Sequence, residues 1–400
     1  MKYIETYSTN PYYNLALEQY IFENRTDDDY LMLWQNDNTI VIGRNQNTYA
    51  EINADAVARY KVNVVRRGTG GGAVYHDLGN LNYSFITREA DAEKIAFEKF
   101  VHPIIEALRK LGLNAETSGR NDIIINGCKV SGVAQRYYQG RVLHHGTLLY
   151  NENLDMANEV LHVDPDKIKA KGVKSVRSRI GNIRELLSIA LIKNEIEASA
   201  DMATKTAGDA AGKTEVPAID PGAAGKGEDF VAAHDAAGKM EVPAIDSGAA
   251  GKEEALTTAP DVAGKLGNPA EGRKMIEQFG ADLSLPAFWA YLKSELTAGG
   301  MQQEQLTPEE LAQVEKIKTE KYDTWEWNYG RSLEADIVRK AHYPQGWIEA
   351  RIQLDHGRIK DARIYGDFMT PKDLTQIEQS LIGREYHEEE IDKLLEDVVK

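Results

Sequence analysis

The sequence predicts an α+β fold. Three observations carry that prediction. Helix and strand signals alternate irregularly over the first 190 or so residues, without a repeating strand–helix–strand unit. Adjacent strand signals are joined by stretches too short for a crossover helix, which favours a mixed, largely antiparallel sheet. The last ninety or so residues read as strands followed by helices, a segregated rather than alternating order.

The elements follow in order. Asn10-Pro11 has the form of an N-cap with Pro at the first helical position, and residues 12–23 carry Tyr12, Leu15, Ala16, Gln19 and Tyr20 at helical spacing. Leu31–Trp34 and Thr39–Ile42 are short apolar runs around Asn36-Asp37-Asn38, a hairpin-like arrangement. Residues 62–65 and 81–86 read as strands and 93–111 as a long amphipathic helix. Ile123–Ile125, Val130–Ala134 and Val142–Tyr150 read as strands again. Near the end, Thr307-Pro308 opens a helix over 308–322. Trp347–Leu354 and Arg358–Tyr365 form a hairpin around Asp355-His356-Gly357, and Leu374–Leu381 and Glu388–Val399 read as helices. The expected organisation is a large domain over 1–300 and a small α+β accessory domain over 306–400.

Residues 196–268 stand apart. Ala, Gly, Lys, Asp, Glu and Pro dominate, and Ala211–Lys226 repeats as Ala237–Lys252 at an offset of 26 residues. Each copy offers too few apolar side chains to build a stacked core. The composition predicts a disordered insertion that interrupts the large domain.

Composition excludes several classes of function. The net charge of −16 and the pI near 5.1 argue against binding bulk nucleic acid, which needs a basic face. No apolar run approaches the roughly 20 residues that cross a bilayer. The first residues lack the apolar core of a signal peptide, so a cytoplasmic location is expected. The single cysteine, Cys128, excludes an internal disulfide and most zinc clusters.

Four segments carry chemistry. Arg66-Arg67-Gly68-Thr69-Gly70-Gly71-Gly72-Ala73-Val74-Tyr75-His76-Asp77 packs four glycines into five positions beside two arginines. Backbone without Cβ atoms can approach a ligand closely, its amides can form an anion-binding concavity, and arginine adds charge-assisted bonds to carboxylate or phosphate. A dinucleotide fingerprint would open a helix, whereas strand and turn residues follow here, and no Walker lysine is present. In Ser118–Ala134, Asn126-Gly127 makes a two-residue hairpin turn that sets Lys129 across from Asn121-Asp122. Taken alone, such a lysine is more often a solvated charge; beside phosphate and carboxylate it is a compact donor to both. No activating base lies near Cys128 in the sequence. His144 and His145, adjacent on a strand, point to opposite faces, so they do not share a metal and at most one faces a site. Finally, Lys169, Lys171, Lys174, Arg177 and Arg179 fall within eleven positions around Gly172, either a solvated charged face or a loop that closes over a phosphate.

Together these segments, in this order, resemble the lipoate–protein ligases. The resemblance covers residues 1–192 strongly and 270–400 more loosely. It implies a biotin-ligase-like catalytic domain, ATP and Mg2+ as cofactors, activation of lipoate or octanoate as an acyl-adenylate, and transfer to a carrier lysine. Implied carriers are apo lipoyl domains of 2-oxoacid dehydrogenase complexes and the glycine-cleavage H protein. A monomer is expected, because no exposed heptad or apolar edge argues for assembly. By the same resemblance Arg66, Gly70, Gly71, His76 and His145 are lipoate-binding. Arg67, Gly72, Ala73, Val74, Tyr75, Asn121, Asp122, Lys171 and Arg177 contact the nucleotide, with Asp122 also at the metal. Lys129 binds both acyl carbonyl and adenylate and is the catalytic residue.

Three other readings compete. An octanoyltransferase of related fold would pass its acyl group through a cysteine thioester, but the HHGTLLYN strand has no cysteine. A biotin ligase would carry a differently patterned glycine loop. A non-catalytic carrier-binding module has no need of Arg67, Gly72 and Lys129 together.

Overall fold

The computed structural model describes residues 1–89, 97–119, 122–162, 180–192, 283–330, 333, 335–368, 370 and 372–399. The described residues of 1–192 and 265–400 belong to one compact unit. Asn121, Lys171 and Arg177, the rest of the basic run up to Arg179, and the repeat-bearing segment lie outside the described residues.

An eight-stranded sheet forms the centre. In chain order its strands are β1 (Lys2–Glu5), β2 (Tyr30–Trp34), β6 (Asn80–Arg88), β7 (Ala115–Ser118), β8 (Asp122–Ile125), β9 (Cys128–Tyr138), β10 (Arg141–Leu149) and β11 (Gln302–Gln303). Their spatial order is β11-β1-β2-β6-β10-β9-β8-β7. β1 pairs in parallel with β2 and β11, and all the other pairs of this sheet are antiparallel. A second sheet places β3 (Thr39–Ile42) between β4 (Asn63–Arg66), in parallel, and β5 (Val74–His76), antiparallel. The mixed, mostly antiparallel α+β architecture is as expected. The hairpin expected between Leu31–Trp34 and Thr39–Ile42 is not formed, because β2 pairs with β1 and β6 while β3 belongs to the other sheet.

The alternation of the strands explains the layering. Leu31, Leu33, Leu81, Tyr83, Phe85, Ile123, Ile125 and Val130 join one core with helix α4 (Glu98–Lys110) and helix α6 (Leu285–Thr297). Met32, Trp34, Ile86 and Leu143 point to the opposite face, where helix α1 (Pro11–Asn24) contributes Leu15, Leu17, Tyr20 and Ile21. The Asn10 side chain accepts from the amides of Tyr12 and Tyr13, a cap worth about 1 kcal/mol. Every residue of β3 is buried, Val41 in the α1 core and Ile40 and Ile42 in a separate small cluster. That smaller cluster takes in Ile52, Ala56 of α3 (Ala54–Tyr60) and Val160 of α5 (Leu154–Val160), with α2 (Thr48–Glu51) leading into it.

The chain beyond 306 divides in two. Helix α7 (Pro308–Ile317), a π-helical turn over Lys318–Tyr322 and helix α8 (Trp325–Asn328) follow one another. Val314 and Tyr322 are buried with Leu15 and Ile21 of α1. Arg25 clamps Glu310 with two bonds of 2.6 and 2.7 Å. A distinct core begins at β12 (Ile337–Tyr343), which with β13 (Gly346–Asp355) and β14 (Arg358–Gly366) makes a three-stranded antiparallel sheet. Helices α9 (Leu374–Leu381) and α10 (Glu388–Val399) cover it with Leu374, Leu381, Ile391 and Leu395. Among the described residues no helix is long and apolar enough to cross a membrane.

Candidate active site

A cavity of about 690 Å³ opens on the α1 face of the large sheet, well inside the range of small-molecule sites. Leu15, Trp34, Val41, Val74, Val133 and Ala134 supply its apolar wall. Lys129, Asp122 and the Gly71-Gly72 backbone lie on the same lining, as does the 342–347 hairpin tip. That tip is held close by the Gly366 amide, which donates to the Asn45 carbonyl at 2.9 Å.

Lys129 owes its place to the turn before it. Asn126 and Gly127 both have positive φ, 51° and 82°, the backbone of a two-residue hairpin turn. The β8–β9 register shifts between Ile123 and Ile124, so Lys129 stands opposite Ile124 and Asp122 opposite Gly132. Asp122, Ile124 and Lys129 therefore share a face, and Lys129 Nζ reaches Asp122 Oδ1 at 2.7 Å. A Cβ at Gly132 would meet Lys129 Nζ at 3.4 Å, so the glycine leaves the ammonium its lane. The Lys129 carbonyl accepts from the Gly181 amide at 3.0 Å, which docks the end of the basic run beside the lysine.

The glycine loop is held from behind. Arg67 is buried; its Nη2 donates to the carbonyls of Gly70 and Gly72 at 2.6 and 2.8 Å, its Nη1 to that of Val41, and its Nε to Thr69 Oγ1. Burial lowers its pKa to about 10, with Glu18 opposing the shift, so it stays charged at neutral pH. Gly71 adopts φ +91°. Its carbonyl sits where a Cβ on Gly43 would be, at 1.9 Å. Gly43 is thus part of the loop's seat, a residue the motif reading did not single out.

The two histidines separate as expected from strand geometry. His145 lines the cavity, while His144 packs among Phe97, Phe100 and Tyr83. His76 also lines the cavity; Asn36 Nδ2 donates to its Nδ1 at 3.3 Å. Burial, then the charge of Arg67, holds the His76 pKa down to about 3, so it is neutral.

Several expected positions need correction. Arg66 was expected at the acid-binding loop, but it is fully buried and does not line the cavity. Its guanidinium donates to the carbonyls of Gly43, Gln46, Trp327 and to Thr48 Oγ1, because β4 ends inside the protein rather than at its surface. Tyr75, expected at the nucleotide, is on the far side of β5, and its hydroxyl donates to Asn38 Oδ1 at 3.1 Å. Gly70 is not among the lining residues and turns its carbonyl back to Arg67. Arg67 lines the cavity, but its donors serve the loop's own carbonyls. Gly71, Gly72, Ala73, Val74, His76, Asp122, Lys129 and His145 all line it. Cys128 does not, and burial pushes its thiol pKa up, away from a nucleophile's range.

An apolar wall that runs up to a lysine and an amide-rich loop suits a protein that holds an acyl chain while charge builds at its carboxyl end. That is the class of acyl-activating ligases. The chain belongs to the lipoate–protein ligase family. Residues 10–201 match the lipoyl protein ligase A/B catalytic domain and 332–399 the bacterial lipoate protein ligase C-terminus. The chain is 32% identical over 400 residues to lipoate-protein ligase LplJ of Bacillus subtilis (strain 168), with 100% of this chain and 94% of that protein covered. P. falciparum LipL1, solved in complex with lipoate, superposes with a TM-score of 0.57 at 23% identity over 98% of this chain and 93% of that one. A lipoate-protein ligase A bound with ATP superposes at 0.50 and 20% identity over 83% and 99% of the two chains.

Proposed function

We propose that this chain is an ATP-dependent lipoate–protein ligase that works in two steps. A lipoate carboxylate oxygen attacks the α-phosphorus of ATP, pyrophosphate leaves, and lipoyl-adenylate forms. The amine of a carrier lysine then attacks the acyl carbon, AMP departs, and an amide results. The observation that carries the reading is Lys129 Nζ, held 2.7 Å from Asp122 at the point where the apolar wall meets the glycine loop. A cation there can pair with both the acyl oxygen and the phosphate as charge develops on them.

The other lining residues take roles by position. The chain of the acid lies against Trp34, Val41 and Val133. His76, whose buried Nε2 has no hydrogen-bond partner among the described residues, and His145 face it. Gly71, Gly72, Ala73 and Val74 line the phosphate end, and Lys171 and Arg177, outside the described residues, are assigned to the nucleotide by the family resemblance alone. Among the described residues no group of three or more His, Cys, Asp or Glu converges on one point. Such a site suits magnesium held mostly by phosphate and water, with Asp122 as its protein ligand and charge neutralisation on the phosphates as its contribution. The carriers are lipoyl domains or the glycine-cleavage H protein, octanoate is an alternative acid, and the setting is cytoplasmic. The enzyme acts as a monomer. The domain boundary falls near 330, between α8 and β12, rather than at 306.

The test is the intact mass of apo lipoyl domain and apo H protein after incubation with this protein, lipoate and MgATP. A lipoyl-sized increase that requires ATP is expected. Transfer from an acylated carrier without ATP would favour the octanoyltransferase instead.

A further inference from the structure

Behind the cavity wall runs a chain of buried polar groups in which Glu18, Ser84 and Thr69 have no part in the roles given above. Glu18 of α1 is 3% exposed and does not itself line the cavity. Its Oε1 accepts from Ser84 Oγ at 2.6 Å and pairs with His145 Nδ1 at 2.9 Å. Ser84 Oγ accepts from Trp34 Nε1 at 2.8 Å. On the other side, His145 Nε2 lies 2.8 Å from Thr69 Oγ1, which accepts from Arg67 Nε at 3.0 Å. Arg67 then ends on the carbonyls of Gly70 and Gly72.

The ends of this chain orient the donors between them. Trp34 and Arg67 can only donate, and an ionised Glu18 can only accept. Ser84 takes the indole proton and gives its own to Glu18. His145 Nδ1 must carry a proton to reach the carboxylate. Thr69 oxygen takes the Arg67 proton and keeps a second acceptor site and its own proton for the contact with His145 Nε2. His145 thus presents Nδ1–H to Glu18 and Nε2 to Thr69. A buried network with every link satisfied holds its members in one geometry.

We propose that Glu18 is a positioning residue for adenylation. Through His145 and Thr69 it holds Arg67, and through Arg67 it sets the peptide planes at 70–72 that receive the reacting phosphate and carboxylate. The proposal rests on the ligase reading above. Glu18 also reaches Trp34 of the acyl-binding wall through Ser84, so the Thr69 variants are the ones that read the path to the loop.

The experiment measures lipoate-dependent pyrophosphate release by the full chain with Thr69→Val and with Glu18→Met, alongside thermal unfolding of each. Each variant is expected to lower kcat by about ten- to a hundredfold, the effect of a slightly misplaced reacting group. In Thr69→Val the KM for lipoate is expected to stay within about threefold of wild type, because Trp34, Val41 and Val133 of the acyl-binding wall are untouched. The double variant is expected to be no worse than the more impaired single one, since both cut the same path. Thr69→Ser and Glu18→Gln, which keep the hydroxyl and an acceptor oxygen, are expected to recover most of kcat. If Glu18→Met does not fold, the Thr69→Val and Thr69→Ser pair decides. Wild-type kcat in Thr69→Val overturns the proposal, and so does a raised KM for lipoate with kcat unchanged. A wild-type protein that releases no lipoate-dependent pyrophosphate overturns the ligase reading instead, an outcome distinct from an active enzyme indifferent to these substitutions.

Discussion

Lys129 and Arg66 are both cations named from the sequence, and burial separates them. Lys129 is about a third exposed and, among the described residues, its ion pair is with Asp122 across the face of a hairpin. Lys129→Ala is therefore expected to leave thermal unfolding almost unchanged while reducing lipoate-dependent pyrophosphate release about a hundredfold or more. Near-wild-type release from a folded variant would remove Lys129 from the mechanism. Arg66 reads identically in one dimension, a basic residue before a glycine run. Nothing local announces that Gly43, Gln46 and Trp327 will turn carbonyls toward it, because those partners are long-range. The histidines carry a different signature. Burial keeps His76 and His144 neutral, with pKa values down to about 3 against a usual 6.5. The unfolded chain takes up these protons as pH falls below about 6.5, whereas the folded one does not until near 3. Stability is thus expected to decline as pH drops across that window. A His144→Phe variant, which keeps a ring among Phe97, Phe100 and Tyr83, should show a shallower decline in urea unfolding between pH 7 and 5.

At the scale of elements, patterns with a local cause were legible. Asn10-Pro11 caps α1, Asn126-Gly127 turns β8 into β9, and α9 and α10 begin and end as their periodicity predicts. Pairing choices were not legible. β2 and β3 look like the arms of one hairpin, yet each is buried on both faces and finds its partners far along the chain. A continuously apolar strand carries no alternation to declare its sheet. The seat of the glycine loop was hidden for the same reason. Gly43 follows β3, with no glycine neighbour to mark it, yet the Gly71 carbonyl occupies the space of its absent side chain. Gly43→Ala is expected to displace the loop and cost about tenfold or more in adenylation, with smaller loss of stability. An alanine variant of wild-type activity would show that the loop can yield there. Arg66→Met tests the joint between β4, the 43–48 segment and α8. Buried carbonyls left without donors are expected to cost about 3 kcal/mol or more in urea unfolding. A loss below about 1 kcal/mol would mean that those carbonyls find other donors.

The whole molecule combines a large sheet, a small sheet that closes the site, and a C-terminal sheet whose hairpin tip reaches the cavity. The composition shift near 196 was evident in the sequence. The assignment of 306–328 was not, because α7 carries its own capping box and reads as the start of something new. Only packing shows that Val314 and Tyr322 complete the α1 core. Residues 193–282 depart from and return to a single apolar cluster, with Leu187 and Ala190 on one side and Leu283, Leu285 and Phe288 on the other. Closing a shorter segment between the same anchors changes the loop entropy by only about 1 kcal/mol. Replacing 193–282 by a flexible linker of about twenty residues is therefore expected to keep both the melting temperature and lipoate-dependent pyrophosphate release. Loss of both would mean that the replaced residues contribute to the core.

The shared grip of that cluster on both flanks makes the position an address where sequence can be exchanged. Chain length is expected to change there without disturbing the large sheet, because both flanks belong to the same cluster. The same property makes it the natural socket for a reporter or an affinity handle, carried by an enzyme whose chemistry is settled elsewhere.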